Sequence, residues 1–182
     1  AQISIRRMKA GGVSTIEFSA AEDTVKWLQQ QPLTIIGIDT VKTMNEEAVV
    51  GTMAASQAAV VILDHLQQVT TPGREPRVYG LDRVMKRLQA VALRSKKVVI
   101  LAAQLGRDID HRKGPPVLAD LRDSGGIEMA ARHVYLLYWP WKHDPSRPHE
   151  EYELYVAKQS DGGTGMVPLR FEAQTGRFHD AR

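Results

Sequence analysis

The chain has 182 residues, 43% of them apolar and 25% charged, which is enough to close one compact domain around a proper core. It has no cysteine, which excludes disulfides and thiolate metal centres and makes a reducing cytosol the expected compartment. The longest apolar runs are four to six residues and the net charge is +3, so no helix can span a membrane and a nucleic-acid partner must be argued from local Arg and Lys placement.

Ser14-Thr15-Ile16-Glu17 has the pattern of a capping box, and Phe18, Ala21, Val25 and Leu28 follow it at helical spacing. A helix is predicted over 15–31, ended by Pro32. Residues 33–38 are apolar and β-branched and predict a strand, after which Thr43 or Asn45 can cap a helix running to Gln57. Four large apolar residues at 60–63 predict an interior strand of a parallel sheet, covered on both faces. Beyond the polar turn at 70–76, Leu81, Val84, Met85, Leu88 and Val91 mark one face of a third helix, and 97–103 predict the next buried strand. This α-β-α-β-α-β order calls for an α/β fold with a largely parallel sheet and right-handed crossovers. Residues 132–139 predict a further strand. Segments 151–158 and 166–171 predict a hairpin turned by Ser160-Asp161-Gly162-Gly163, with Pro168 suited to an edge.

Asp64 ends the strand at 60–63, and open α/β sheets place their ligands at the carboxyl ends of strands. A carboxylate there can hold a Mg²⁺ that bridges β- and γ-phosphates, or it can simply cap a loop. Gln104 ends the next strand, where its amide can contact a γ-phosphate or an attacking water, or be an ordinary loop residue. The charged loop at 108–116 is either solvent-facing chain or a binding arm. In DLRDSGGIE, Ser124 can cap a helix while Gly125 and Gly126 leave amides free for phosphate beside Arg122. An ordinary glycine-softened helix start has the same pattern. Tyr135, Tyr138 and Trp139 can stack on bases or fill a sheet core.

Taken together, LDHLQQV, AAQLGR, DLRDSGGIE and AKQSDGGTG, in this order and spacing, resemble the C-terminal RecA-like motor domain of the DnaB-type replicative helicases. The likeness extends upstream through Arg7-Met8-Lys9-Ala10-Gly11-Gly12 and so covers nearly the whole chain. It implies a RecA-like P-loop NTPase core with a mostly parallel sheet, helices on both faces and a C-terminal β-hairpin. Residues 1–182 would form part of the motor domain, from after the catalytic Glu through the hairpin. The implied activity is ATP- and Mg²⁺-dependent 5′→3′ translocation on single-stranded DNA with duplex unwinding, by a ring expected to be hexameric and to meet other replication proteins. The resemblance makes Asp64 the Walker B acid on Mg²⁺ and Gln104 the residue that senses the γ-phosphate. Arg122, Asp123 and Gly125 would lie on the channel loop that grips the DNA backbone, and Lys158 would reach the neighbouring subunit's ATP.

Two departures stand out. Where the family's hairpin carries Lys-x-Arg, with the Arg as a finger into the adjacent site, this chain has Lys158-Gln159-Ser160. No G-x-x-x-x-G-K-[ST] occurs in the sequence, so the P-loop strand and its phosphate cradle are expected upstream of Ala1, and the chain alone is expected not to hydrolyse ATP. The alternative is a truncated relative acting as a non-hydrolytic single-strand-binding or ring-assembly module. A sheet lacking that central strand should expose an apolar seam.

Overall fold

The computed structural model describes residues 3–37, 43–73, 75–106, 109, 114–121 and 125–181. Two compact units emerge, one of Ala1–Ile36, Tyr138–Leu154 and Met166–Arg182, the other of Gly37–Leu137 and Tyr155–Gly165. No helix among the described residues is long and apolar enough to cross a membrane.

The second unit holds the core. Helix α3 (Glu46–Ala55) starts where the Asn45 side chain accepts the Ala48 amide at 2.8 Å. Strand β1 (Val60–Leu63), helix α4 (Arg77–Ser95) and strand β2 (Val98–Leu101) follow, and β1 pairs with β2 in parallel register from Val60↔Val98 to Leu63↔Leu101. The apolar face of α4 is buried as its periodicity predicts, with Leu81 and Val84 fully inaccessible and Met85 and Leu88 nearly so. These side chains join Val50 and Met53 of α3, Leu66, Val69 and Leu121. Ile127 of α5 (Gly125–Ala130), and Val134 and Leu136 of β3 (His133–Tyr138), complete the cluster. Helices α3 and α4 are also tied by charge. The Glu46 carboxylate, only 2% exposed, accepts from Arg83 and Arg87 at 2.9–3.2 Å; Arg87 also reaches Glu47 and Arg83 reaches Glu75.

Three expectations are corrected here. The run at 60–63 is not covered on both faces: Val61, Leu63, Val99 and Leu101 pack on the core, while Val60, Ile62, Val98 and Ile100 are 48–68% exposed. One face of the parallel pair is therefore an exposed apolar surface. Residues 33–37 form no strand and Ile38 lies outside the described residues. A strand exists only through its ladder, and no described strand pairs with this segment, so Leu33, Ile35 and Ile36 stay exposed. Among the described residues the parallel sheet has two strands, and the larger sheet is four-stranded in the order β3-β4-β5-β6, with β4 at Glu151–Gln159, β5 at Gly165–Glu172 and β6 at Arg177–Asp180.

The hairpin expected at 151–158 and 166–171 is β4 and β5; β6 is an addition, antiparallel to β5 from Leu169↔Asp180 to Glu172↔Arg177. Pro168 is not on an edge as expected: β5 lies between β4 and β6, and Pro168 sits within β5 one residue before the ladder with β6, its carbonyl accepting the Ala181 amide at 3.4 Å.

In the first unit, α1 (Ile5–Lys9) is followed by α2 (Thr15–Gln29), whose capping box between Ser14 and Glu17 forms as read. Arg7 reaches Glu17 at 2.8 and 3.0 Å and ties the two helices. Trp139 stacks on Trp141 and lies parallel to Tyr152, and its indole N–H donates to the His149 carbonyl at 2.9 Å. Phe171 and Phe178 meet the edge of Tyr152, whose hydroxyl is pushed up by burial. Trp139 thus belongs to an aromatic cluster on the sheet, Tyr138 stacks separately on His143, and Tyr135 is 55% exposed.

Candidate functional site

The parallel strands end side by side. Past Leu63, the Asp64 carboxylate is 83% exposed, with His65 Nδ1 at 3.8 Å. The backbone then crosses between the two ends: Ala102 donates to the Leu63 carbonyl at 3.0 Å, and Leu66 donates to that of Ala102 at 2.9 Å. Leu66 is fully buried and opens a single 3₁₀ turn, Leu66–Gln68, that anchors the loop after Asp64.

Gln67 in that turn locks the neighbouring strand end. Its side-chain Oε1 accepts the Gln104 amide at 3.0 Å, and its Nε2 donates to the Gln104 carbonyl at 3.4 Å. Arg77, at the start of α4, donates to the carbonyl of Gln67 itself. The main chain of Gln104 is thereby fixed to the loop that follows Asp64, while its side chain is exposed. The segments that carry the two singled-out residues are thus fastened to each other by Gln67, a position within LDHLQQV that carried no assigned role.

An exposed carboxylate at a strand end suits a hard cation shared with a ligand. Among the described residues no three His, Asp or Glu side chains converge on a common point. Mg²⁺ is ordinarily held by one or two carboxylates together with substrate phosphates and water, and the exposed Asp64 carboxylate has the chemistry for a ligand of that kind.

The remaining candidates lie around α5 and the hairpin. Lys158, on β4, donates from Nζ to the Glu128 carbonyl at 2.6 Å. Just past the end of β4, Ser160 donates from both its amide and its hydroxyl to the Arg132 carbonyl at 3.0 Å. The Arg132 guanidinium pairs with Asp161 at 2.6 Å and holds that carboxyl below the usual range. Gly125 begins α5. The amide of Gly126 is not free as the double glycine suggested: it donates to Asp82 Oδ1 of α4 at 3.0 Å. A Cβ at this glycine would lie 2.1 Å from that oxygen, so close helix packing explains the residue. Arg122 and Asp123 lie outside the described residues, as do Ser124, Arg107 and residues 108 and 110–113 of the charged loop.

A family model described as the DnaB-like helicase C terminal domain matches residues 1–180. A probable replicative DNA helicase of Trieres chinensis is 34% identical over 128 residues, covering 66% of this chain and 28% of its own length. The replicative DNA helicase DnaB of Geobacillus stearothermophilus is 31% identical over 127 residues, covering 68% of this chain and 28% of its own length. The chain thus spans under a third of these relatives. Among solved structures, an ATPase domain superposes with a TM-score of 0.82 at 22% identity, covering 99% of this chain and 66% of that one. A DnaB-like replicative helicase, described with its interactions with primase, gives 0.80 at 23%, covering 97% of this chain and 44% of that one. These two share the fold.

Proposed function

The chain belongs to the DnaB-like helicase C-terminal domain family, and from that premise we propose that residues 1–182 form part of the motor domain of an ATP-driven replicative DNA helicase. The observation that carries this reading is that the loop after the exposed Asp64 carboxylate is fastened, through the Gln67 side chain, to the main chain of the exposed Gln104.

In this reading Asp64 holds Mg²⁺, which when bound offsets charge on the β- and γ-phosphates of ATP. Gln104 presents its amide to the γ-phosphate. Because its main chain is fixed to the loop after Asp64, a shift of the Gln104 side chain on phosphate loss is passed to both strand ends and into α4 through Arg77. Arg122, Asp123 and Gly125 would contact the backbone of single-stranded DNA, and Lys158 would serve the ATP site of a neighbouring subunit in a ring, with six subunits and 5′→3′ movement as the finer expectation. Other replication proteins are the natural further partners.

The test is ATP turnover by the intact protein with and without single-stranded DNA, beside Asp64→Asn. DNA-stimulated hydrolysis that Asp64→Asn reduces by roughly 10²-fold or more, with DNA binding retained, is the expected result. Full turnover in Asp64→Asn would remove Asp64 from the site.

A further inference from the structure

We propose that His65 is a nitrogen ligand to the divalent cation that Asp64 holds, and that it tunes the site toward Mn²⁺ over Mg²⁺. This inference rests on the motor reading above and deepens it, by naming a second ligand in the chain and the ion that the pair selects.

Consecutive side chains along a strand point to opposite faces, so an aspartate that ends a strand does not ordinarily share its surroundings with the next residue. Here the two converge: His65 Nδ1 lies 3.8 Å from Asp64 Oδ1. That separation is too long for a hydrogen bond. It is within the span of two donors on one ion, each about 2.1 Å from the metal and so at most about 4.2 Å apart.

The two groups differ in exposure, the carboxylate at 83% and the imidazole at 22%. An ion that reaches Asp64 from solvent therefore meets a half-buried nitrogen donor beside it. The backbone carrying the ring is held on its far side as well. The His65 carbonyl accepts the Gln68 amide at 3.0 Å, the Leu66 amide donates to the Ala102 carbonyl at 2.9 Å, and the Leu66 side chain is fully buried. A ring presented by a fixed turn loses little freedom when it binds. Among the described residues no third His, Asp or Glu joins the pair, which leaves the other positions on the ion to phosphate oxygens and water.

The donor set decides which ion is preferred. Mg²⁺ favours oxygen donors, whereas first-row transition ions add affinity for imidazole, and Mn²⁺ accepts carboxylate and water as well. An Asp–His pair thus raises Mn²⁺ relative to Mg²⁺, where an aspartate alone does not.

Electron spin-echo spectroscopy of bound Mn²⁺ tests this. The intact protein is loaded with ADP and Mn²⁺, and the signal of the bound ion should carry nitrogen modulation from a coordinated imidazole. His65→Phe, which keeps a ring in the turn, should lose that modulation, and the ratio of Mn²⁺ to Mg²⁺ affinity should fall by about tenfold or more. His65→Gln, which keeps a polar side chain there, should lose the same modulation. A bound-Mn²⁺ signal without nitrogen modulation would overturn the proposal, as would modulation or an affinity ratio that survives both substitutions. Absence of ADP-dependent Mn²⁺ binding by the unsubstituted protein would instead overturn the motor reading itself.

Discussion

Helices α2 and α4 carry the same amphipathic spacing and meet opposite fates. Leu81, Val84, Met85 and Leu88 of α4 are 0–4% exposed, while Phe18, Val25 and Leu28 of α2 are 40–56% exposed. Helix α4 is held by tertiary burial, α2 by local devices: the Ser14–Glu17 capping box and the Arg7–Glu17 pair. Hydrophobic periodicity reports a helix, but the partner that buries its stripe is a non-local property. The ion pairs divide in the same way. Glu46 bridges α3 to α4 from a buried position with two arginines, whereas Glu17 joins neighbours in sequence at the surface.

The largest difference is expected at the apolar stripes. Leu81→Ala should cost about 2–5 kcal/mol in urea unfolding, because a fully buried leucine leaves a cavity that the packed core cannot close. Phe18→Ala should stay within about 0.5 kcal/mol. Comparable losses at both positions would mean that α2 is packed in solution, and the contrast between the two helices would be lost.

A smaller effect is expected at the charges. Glu46→Gln should cost about 1.5–3 kcal/mol, since charge-assisted hydrogen bonds from Arg83 and Arg87 weaken together. The Arg83 hydrogen bond, with help from Arg87 and against the cost of burial, holds the Glu46 carboxyl below its ordinary value. The unfolded chain therefore binds this proton more readily than the folded one. The contribution of Glu46 is complete above the ordinary glutamate pKa and is lost as the pH falls through the lowered folded value. The gap between wild type and Glu46→Gln should thus narrow on acidification into that window. A gap that widens there would reverse the assignment.

Local signals transfer from sequence to structure where the physics is local. The capping box, the Asn45 cap, the two β-branched runs and the stripe of α4 are all readable, and Asp64 and Gln104 stand out because apolar runs end on them. What is not readable depends on distant partners. The uniform run VVIL reads as a strand covered twice, yet only alternate residues find a core. The apolar segment at 33–37 has strand composition without a strand beside it. Gly126 reads as a free anion-binding amide until Asp82, 44 residues away, takes its N–H. Arg132 gives no signal at all, because its closeness to Ser160 arises from the pairing of β3 with β4.

The smallest stability effect and the most informative one is expected at Gln67. Its amide makes two hydrogen bonds to the Gln104 main chain, neither deeply buried, so Gln67→Ala should cost only about 0.5–1.5 kcal/mol. Its functional effect should be disproportionate. If Gln104 reports the γ-phosphate, loosening its main chain by a fraction of an ångström misaligns the side chain at the moment of transfer, where a roughly 1 Å error can cost about 10²-fold. DNA-stimulated turnover of the intact protein should therefore fall far more than the affinity for an ATP analogue. Gln68→Ala, at the exposed next position, should change neither. A Gln67→Ala protein with undiminished turnover would mean that the strand ends are fastened for stability alone. It would also bring this turn closer in character to the Glu46 bridge, whose role is to hold helices together and not to place a reacting group.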